Sequence, residues 1–290
     1  MCRVAIVTDS NSGITQSQAK ELGVYVLPMP FLINGEEYFE DISLDQEGFY
    51  EKLVTDAEVS TSQPSAGDVM EMWDKAFAEG YDQIVHIPMS SGLSGSCDTA
   101  TLLAEDYDGK VQVVNNQRIS VTQRQSVLDA LKLSEEGKSA KEIKEFLEKT
   151  KMDSIIFITV NDLKYLKKGG RVTPAGAALA TILGIKPVLK IYGEKLDAFA
   201  KARSMKIAKR NMIEAIRNYL EENYKEQYEQ GKYKLMIAYS YDKEPAEIFE
   251  KEVNEAFPGI PVYTDCLSLS VSCHIGPGSL ALAVTIDHLA

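Results

Sequence analysis

Short apolar runs alternate with longer amphipathic segments along the first half of the chain. The runs have the length of buried strands, and they cover Val4–Val7, Gln83–Ile87, Val111–Val114 and Ser154–Val160. Helical patterns separate them. Because strands that alternate with helices of this length are typical of βαβ units, the pattern predicts an α/β fold with a mostly parallel sheet.

Local turn and cap signals mark where several elements begin. The Asn34-Gly35 pair, inside Phe31–Glu40, predicts a hairpin with a type I′ turn, since asparagine and glycine tolerate positive φ. A capping box places a serine or threonine three residues before a glutamate or glutamine. The sequence predicts such helix starts at Thr15 with Gln18, Ser43 with Gln46, and Ser139 with Glu142.

The pattern changes after about residue 160. Lys186–Ala200 predicts a hairpin around Gly193, a long charged helix runs from about Arg203 to Tyr224, and Ala281–Ile286 is a closing apolar strand. We therefore predict two domains: an N-terminal α/β domain over residues 1–160 and a C-terminal α+β domain over residues 161–290.

Composition and charge exclude several classes of function. With 43 acidic and 31 basic residues, the net charge of −12 argues against general nucleic-acid binding and against docking on anionic membranes. No stretch approaches the ~20 apolar residues of a membrane span, so no integral membrane contact is expected. The four cysteines are scattered without C-x-x-C spacing, which favours a reducing compartment without a zinc site. We expect a cytoplasmic protein.

Five polar segments follow or flank the apolar strands, where open α/β sheets bind their ligands. They are Thr8–Gly13, Ser60–Ser65, Ser90–Ser96, Lys167–Pro174 and His274–Gly278. The second and third carry hydroxyls that can donate hydrogen bonds to a carboxylate or phosphate. The third also precedes a helix, whose N-terminus adds positive potential. Turn and cap chemistry is the alternative for the first segment, and an ordinary Ser/Thr cap before a helix is the alternative for the second.

Known catalytic motifs fit these segments poorly. Gly92–Ser96 approaches the G-x-S-x-G nucleophile elbow but ends in serine, and a serine hydrolase also needs a base and an orienting acid. Lys167–Pro174 lacks the G-K-[ST] ending of a P-loop, and a helix C-cap on its glycines is the alternative. His274 has a side chain that titrates near neutrality and could pair with a carboxylate, and a structural role is its alternative.

Taken together and in order, six segments make the sequence resemble the DegV family of bacterial lipid-binding proteins. Members of that family include the fatty-acid-binding subunits of the fatty acid kinase system. The segments are Thr8–Ser10, Ser60–Ser65, Ser90–Ser96, Gly170–Val172, Lys201–Ser204 and His274–Gly278. The resemblance spans essentially the whole chain. It departs from the usual pattern at Ser96-Cys97, where threonine and an aromatic residue are frequent, and at Val172, where isoleucine is usual.

The resemblance implies a two-domain α/β protein that buries one long-chain fatty acid between or within its domains. It implies that the carboxylate is held by Thr61, Ser91 and His274, with Ser62 and Ser94 as near alternatives. A separate ATP-dependent kinase subunit would then phosphorylate the bound fatty acid. This chain would be non-catalytic on its own and would need no cofactor.

Two basic clusters are candidates for contact with that kinase. The first comprises Lys201, Arg203, Lys206, Lys209 and Arg210, and the second comprises Lys164, Lys167, Lys168 and Arg171. Cations at a helix N-terminus are unfavourable for the macrodipole, so the first cluster needs another reason. Because the planar fork of arginine suits phosphate, we predict that Arg203 and Arg171 serve the partner. A solvated helix face is the alternative.

Three functions remain open at this point. The first is a lipid-carrying subunit of a fatty acid kinase. The second is a fatty-acid sensor or reservoir without phosphorylation. The third is a stand-alone serine hydrolase or transferase that turns over a small substrate without a partner.

Overall fold

The computed structural model describes residues 2–55, 57–179 and 184–290. The strands of this part of the chain are β1 (Val4–Asp9), β2 (Tyr25–Leu27), β3 (Pro30–Ile33), β4 (Glu36–Phe39), β5 (Val59–Thr61), β6 (Gln83–Ile87), β7 (Val111–Val113), β8 (Ser154–Thr159), β9 (Lys186–Ile191), β10 (Leu196–Ala202), β11 (Tyr233–Tyr239), β12 (Val262–Cys266) and β13 (Leu280–Ile286). Its helices are α1 (Gln16–Leu22), α2 (Gln46–Leu53), α3 (Ala66–Ala78), α4 (Ser96–Ala104), α5 (Ser120–Glu135), α6 (Ala140–Lys149), α7 (Lys164–Gly169), α8 (Pro174–Leu179), α9 (Met205–Asn223), α10 (Lys225–Glu229), α11 (Glu244–Ala256) and α12 (Leu269–Ile275).

A four-stranded parallel sheet is the centre of the first compact unit. That unit runs to Asp45 and again from Glu58 to Met152. Its strands follow the order β2-β1-β6-β7, and every pairing is parallel. All six residues of β1 are buried, which explains its continuous apolar run. The predicted α/β fold with a mostly parallel sheet is confirmed.

A small antiparallel sheet of order β4-β3-β5 extends the first unit. Asn34 and Gly35 join β3 to β4 with φ of 52° and 83°, as a type I′ turn requires, so the predicted hairpin is confirmed. Thr61 was expected in a loop, but it is the last residue of β5 and lies opposite Phe31. Three residues are too short a run to give a clear strand pattern in the sequence.

Two of the three predicted capping boxes are present. The side chains of Thr15 and Ser139 each accept the N–H three residues later, and the side chains of Gln18 and Glu142 accept the backbone N–H of the cap residue. The prediction for Ser43 is wrong. Its Oγ accepts the N–H of Phe39 at 2.8 Å, because the chain turns back there before α2 begins at Gln46.

A mixed six-stranded sheet is the centre of the second unit, which contains Gln46–Ala57 and Asp153–Ala290. The strand order is β10-β9-β8-β13-β11-β12, and every pairing except β11 with β12 is antiparallel. Strand β8 ends just before the boundary that we predicted at residue 160, yet it pairs with β13 and β9 inside this sheet. The predicted α+β character of this part of the chain agrees with the antiparallel pairings.

The long helix α9 covers the second sheet. Its buried residues Met212, Ile216 and Leu220 lie at helical spacing and pack in a core with Leu235 and Leu282 of the central strands. Helix α2 belongs to the same unit, where the Tyr50 hydroxyl donates to Ser272 Oγ at 2.8 Å. Within the described residues, no helix is long and apolar enough to cross a membrane.

Candidate functional site

A buried carboxyl group stands at the carboxyl end of β1. Asp9 is 1% exposed, and it accepts hydrogen bonds from the Met89 N–H at 2.7 Å, the Asn11 N–H at 3.0 Å and Gln123 Nε2 at 3.1 Å. Burial raises the pKa of Asp9 to about 6, although these three donors pull it down. The turn chemistry that we weighed for Thr8–Gly13 is therefore real, since Asp9 caps the short 3-10 turn after β1.

Gln123 of α5 joins the carboxyl ends of the two central strands. Besides Asp9, its Nε2 approaches Thr8 Oγ1 at 3.1 Å and the Ile87 carbonyl oxygen at 3.2 Å. One amide thus ties β1, β6 and α5 together at the edge of the sheet where the polar segments begin. Gln123 could not be predicted from the sequence, because its partners lie in β1, more than a hundred residues away, and in β6.

The two hydroxyl-rich segments of the first unit lie against each other. Gln63 Nε2 donates to Thr99 Oγ1 at 3.0 Å, and a Cβ on Gly95 would lie 3.1 Å from Gln63 Oε1. Gln63 comes directly after Thr61 and Ser62, and Gly95 comes directly after Ser94. The structure therefore brings together the segments that carry four of the five predicted carboxylate ligands.

The hydroxyls of these segments differ in their partners. Ser91 is half-buried, and its Oγ accepts from Asn115 Nδ2 at 2.9 Å. Ser94 Oγ accepts the Ser96 N–H at 3.2 Å just before α4, whose N-cap residue, Gly95, makes no side-chain capping bond. Asn115 is a site residue that the sequence did not reveal. By occupying an acceptor lone pair of Ser91, it leaves the Ser91 O–H free to donate.

A mainly apolar cavity lies beneath these segments within the first unit. Its lining residues are Asp9, Leu27, Pro64, Val69, His86, Pro88, Ser96 and Thr99. His86 is 2% exposed, and burial lowers its pKa to about 3, so the imidazole is neutral. The cavity has a volume of about 10 Å³, which is enough for one water molecule.

His274 lies in the last turn of α12 in the second unit. We had expected it in a loop, but Ser268 caps a helix over Leu269–Ile275, and Tyr50 of α2 holds that helix through Ser272. The imidazole packs on the backbone of Gly169, where a Cβ would lie 2.7 Å from Nδ1. Gly169 is therefore a third residue, after Gln123 and Asn115, whose contact the sequence did not reveal, since only glycine fits beneath the ring.

The environment of His274 changes its charge state. Burial, and then the Arg171 guanidinium, lower the pKa of His274 to about 4. Arg171 Nη1 donates to the Gly169 carbonyl oxygen at 2.5 Å. The expectation of titration near neutrality is thus wrong, and His274 is a neutral donor and acceptor at pH 7.

The two basic clusters occupy different settings in the second unit. Arg203 is exposed immediately before Ser204, which caps α9 by accepting the Ile207 N–H. Lys209 and Arg210 form ion pairs with Glu252 and Glu214. In the second cluster, α7 ends at Gly169 and is capped by Gly170 in the left-handed conformation. The helix C-cap that we gave as the alternative for Lys167–Pro174 is therefore present. The side chain of Lys167 lies outside the described residues.

The described groups include neither a metal-type cluster nor a hydrogen bond between Ser94 and a histidine. Within the described ranges, no three histidine, cysteine or acidic side chains are grouped to hold a metal ion. In the described part of the first unit, Ser94 has no hydrogen bond to a histidine, although a serine nucleophile needs such a base. Hydroxyls and a neutral imidazole remain as donors.

Comparison with known proteins places the chain in a family. The model of the DegV family, described as uncharacterised proteins, matches residues 3–287. A DegV domain-containing protein of Listeria innocua is 28% identical over 287 residues, which are 98% of this chain and 99% of the relative.

Solved structures give the same result. A DegV family protein from Thermus thermophilus, described by its fatty acid binding, has a TM-score of 0.87 at 30% identity and covers 98% of this chain and 99% of its own. A stearic acid-binding protein from Eubacterium ventriosum has a TM-score of 0.88 at 25% identity, with 99% of each chain covered.

The influence of Arg171 on His274 is testable by nuclear magnetic resonance. In the protein stripped of ligand, we expect the His274 ring to titrate near pH 4, and Arg171→Gln to raise that pKa because a neighbouring cation is removed. Histidine ring resonances followed against pH measure both values, with His274→Gln giving the assignment. Lys168→Gln, in α7 three residues before Arg171, is the matched control. A His274 pKa near 6.5 in the unsubstituted protein would contradict the burial that we describe.

Proposed function

The chain belongs to the DegV family, and we propose that it binds one long-chain fatty acid by its carboxylate and presents it to a separate ATP-dependent kinase subunit. The observation that carries the proposal is the contact between two hydroxyl-rich segments at the carboxyl edge of the parallel sheet in the first unit. Relatives described as fatty-acid-binding and stearic acid-binding proteins support the ligand class. On this proposal the chain is non-catalytic by itself and cytoplasmic.

The physical chemistry of a fatty acid suits this combination of groups. Burying a carboxylate is costly unless hydrogen bonds replace its water shell. Thr61 and Ser91 each carry an O–H that can supply one, and we propose His274 as a further donor. A buried sixteen-carbon chain contributes roughly 10 kcal/mol gross, at about 0.8 kcal/mol per CH₂ group. The tail then provides most of the affinity, and the polar groups fix where the carboxylate lies.

Local geometry supports an order among the hydroxyl candidates. Asn115 orients Ser91, whereas Ser94 is engaged at the start of α4. Thr61 is fixed as the terminal residue of β5, whereas Ser62 is exposed. We therefore place Thr61 and Ser91 first, and Ser62 and Ser94 second.

Protein purified from a bacterial host should carry about one long-chain fatty acid per chain. The reason is that burial of the tail contributes roughly 10 kcal/mol gross, before the ordering costs of binding are subtracted. Solvent extraction of the denatured protein followed by mass spectrometry measures the ratio of lipid to chain. A preparation that contains no lipid and does not bind added palmitate or oleate would contradict the proposal.

Removing the leading hydroxyls should weaken fatty-acid binding. A hydrogen bond to a charged group contributes about 1.5–3 kcal/mol, so Thr61→Val and Ser91→Ala should each raise the Kd roughly tenfold or more. Ser62→Ala and Ser94→Ala are the matched controls, with smaller expected changes. Titration calorimetry on the delipidated protein gives all four values. Larger losses in the two controls would reverse our order, and four unchanged Kd values would place the carboxylate elsewhere.

Arg203→Ala should leave lipid binding intact and lower acyl-phosphate formation with the kinase subunit and ATP. Arg203 is exposed before α9, where a cation is unfavourable for the helix and is explained by a phosphate or an acidic partner. A paired assay measures the lipid Kd first and phosphorylation second. Arg210→Ala, which breaks only a surface pair with Glu214, is the control. If Arg203→Ala changes neither lipid binding nor phosphorylation, the basic cluster is only a solvated helix face. If the unsubstituted protein is not phosphorylated either, a fatty-acid sensor or reservoir is favoured.

A further inference from the structure

Asp9 is a buried carboxyl group that has no cationic partner within the described chain. It is 1% exposed at the end of β1, and its hydrogen-bond donors are the N–H groups of Asn11 and Met89 and the side-chain amide of Gln123. All three donors are neutral. Because the protein interior screens charges poorly, a buried carboxylate without a positive partner responds strongly to any further charge that enters its surroundings.

The titratable and charged groups around Asp9 do not neutralise it. His86 of β6 shares a water-sized cavity with Asp9 and is neutral, since burial lowers its pKa to about 3. Arg118 and Arg124, the basic residues near the start of α5, donate to groups other than Asp9. The remaining residues that line the cavity, from β2, α3, α4 and the two hydroxyl-rich segments, are uncharged: Leu27, Pro64, Val69, Pro88, Ser96 and Thr99.

The amide of Gln123 suits either charge state of Asp9. Its Nε2 lies within 3.2 Å of acceptors on Thr8, Asp9 and Ile87, although it carries only two N–H bonds. Its Oε1 is buried without a hydrogen-bond partner among the described residues. Rotating the amide by half a turn would place Oε1 beside Asp9, where it can accept from a protonated carboxyl group, while Ile87 keeps the hydrogen bond from Thr8 Oγ1 at 2.8 Å. A proton on Asp9 therefore finds an acceptor nearby.

The proposed carboxylate site lies within electrostatic reach of Asp9. The Met89 N–H that donates to Asp9 stands two residues before Ser91, which we propose as a ligand of the fatty-acid carboxylate. Two residues span at most ~7 Å, so the bound carboxylate lies on the order of 10 Å from Asp9. At that distance and an effective dielectric constant of ~20, two like charges repel enough to change a protonation equilibrium roughly tenfold.

We infer that Asp9 takes up a proton from solvent when the fatty-acid anion binds, so that the protein binds the anion and a proton together. The inference rests on the proposed fatty-acid binding and adds a second, coupled ligand to it. The proton is placed on Asp9, and the negative charge stays on the carboxylate oxygens of the fatty acid.

The direction of the pH dependence follows from this coupling. In the free protein the pKa of Asp9 is about 6, so the group is mostly ionised at pH 7. A bound anion raises that pKa further, because a neighbouring like charge disfavours the ionised form. The affinity for the fatty acid should therefore rise as the pH falls from 8 towards 6. At higher pH it should reach a plateau, because Asp9 then stays ionised in both the free and the bound protein.

Titration calorimetry of the delipidated full chain with palmitate, in buffers of different ionisation enthalpy, measures the proton uptake. Near pH 6.5 we expect roughly half a proton per bound palmitate, and between pH 8 and pH 6 we expect the Kd to fall roughly five- to tenfold. Asp9→Asn keeps the shape of the side chain and cannot take up the proton, so both effects should disappear. Asp106→Asn, at an exposed carboxyl group of the same unit, is the matched control and should keep both.

The outcomes distinguish this inference from the proposed function. Palmitate binding without proton uptake, or with an uptake that Asp9→Asn leaves unchanged, would overturn the inference and leave fatty-acid binding standing. Absence of palmitate binding would contradict both. Should Asp9→Asn fold poorly, difference infrared spectroscopy on the unsubstituted protein decides. With palmitate labelled with carbon-13 at its carboxyl group, a protonated side-chain carboxyl should give a band at the unlabelled frequency, and a band only at the labelled frequency would place the proton on the ligand.

Discussion

A carboxyl group without access to water is the constraint on which the first unit depends. Asp9 can be buried at the end of β1 only because three donors surround it, and those donors come from the 3-10 turn, from the segment after β6 and from α5. Each donor fixes a backbone position at the carboxyl edge of the parallel sheet. The hydroxyl-rich segment after β6 therefore starts from a rigid point, and Gln63 then holds the segment after β5 against it. A precise anion site needs this kind of support.

In the second unit, two side-chain rings are positioned by packing against glycine backbone. His274 packs on Gly169, and the Tyr165 ring packs on Gly276, whose φ of 75° favours glycine independently. Side chains at these positions would displace the imidazole or the tyrosine ring. The short helix α12 has no strong helical signal of its own and is held from outside by Tyr50. The direction of the His274 ring thus depends on α7, α2 and the backbone after α12 together.

The elements that could be predicted from the sequence are those whose signal is local. Strands β1, β6 and β8 are buried along their length and read as apolar runs, and the caps at Thr15 and Ser139 need only neighbours three residues away. The predictions that were wrong depended on competing or distant contacts. Ser43 accepts a hydrogen bond from Phe39 instead of capping α2. Helix α12 is held by Tyr50, which lies 222 positions before Ser272 in the sequence. The same holds for the site. Serines 91 and 94 stood out as a motif, but Asn115, Gln123 and Gly169 matter only through tertiary contacts.

The absence of charge on the donors has a consequence for the proposed reaction. A lysine or arginine paired directly with the bound carboxylate would neutralise it and lower its nucleophilicity. Hydroxyls and a neutral imidazole offset the desolvation of the carboxylate while leaving the negative charge on its oxygens. His274 is neutral because it is buried and lies near Arg171, so on our proposal the carboxylate would contact an uncharged imidazole. A carboxylate held in this way remains able to attack a phosphoryl group that another protein supplies, which is the property that a presenting subunit requires.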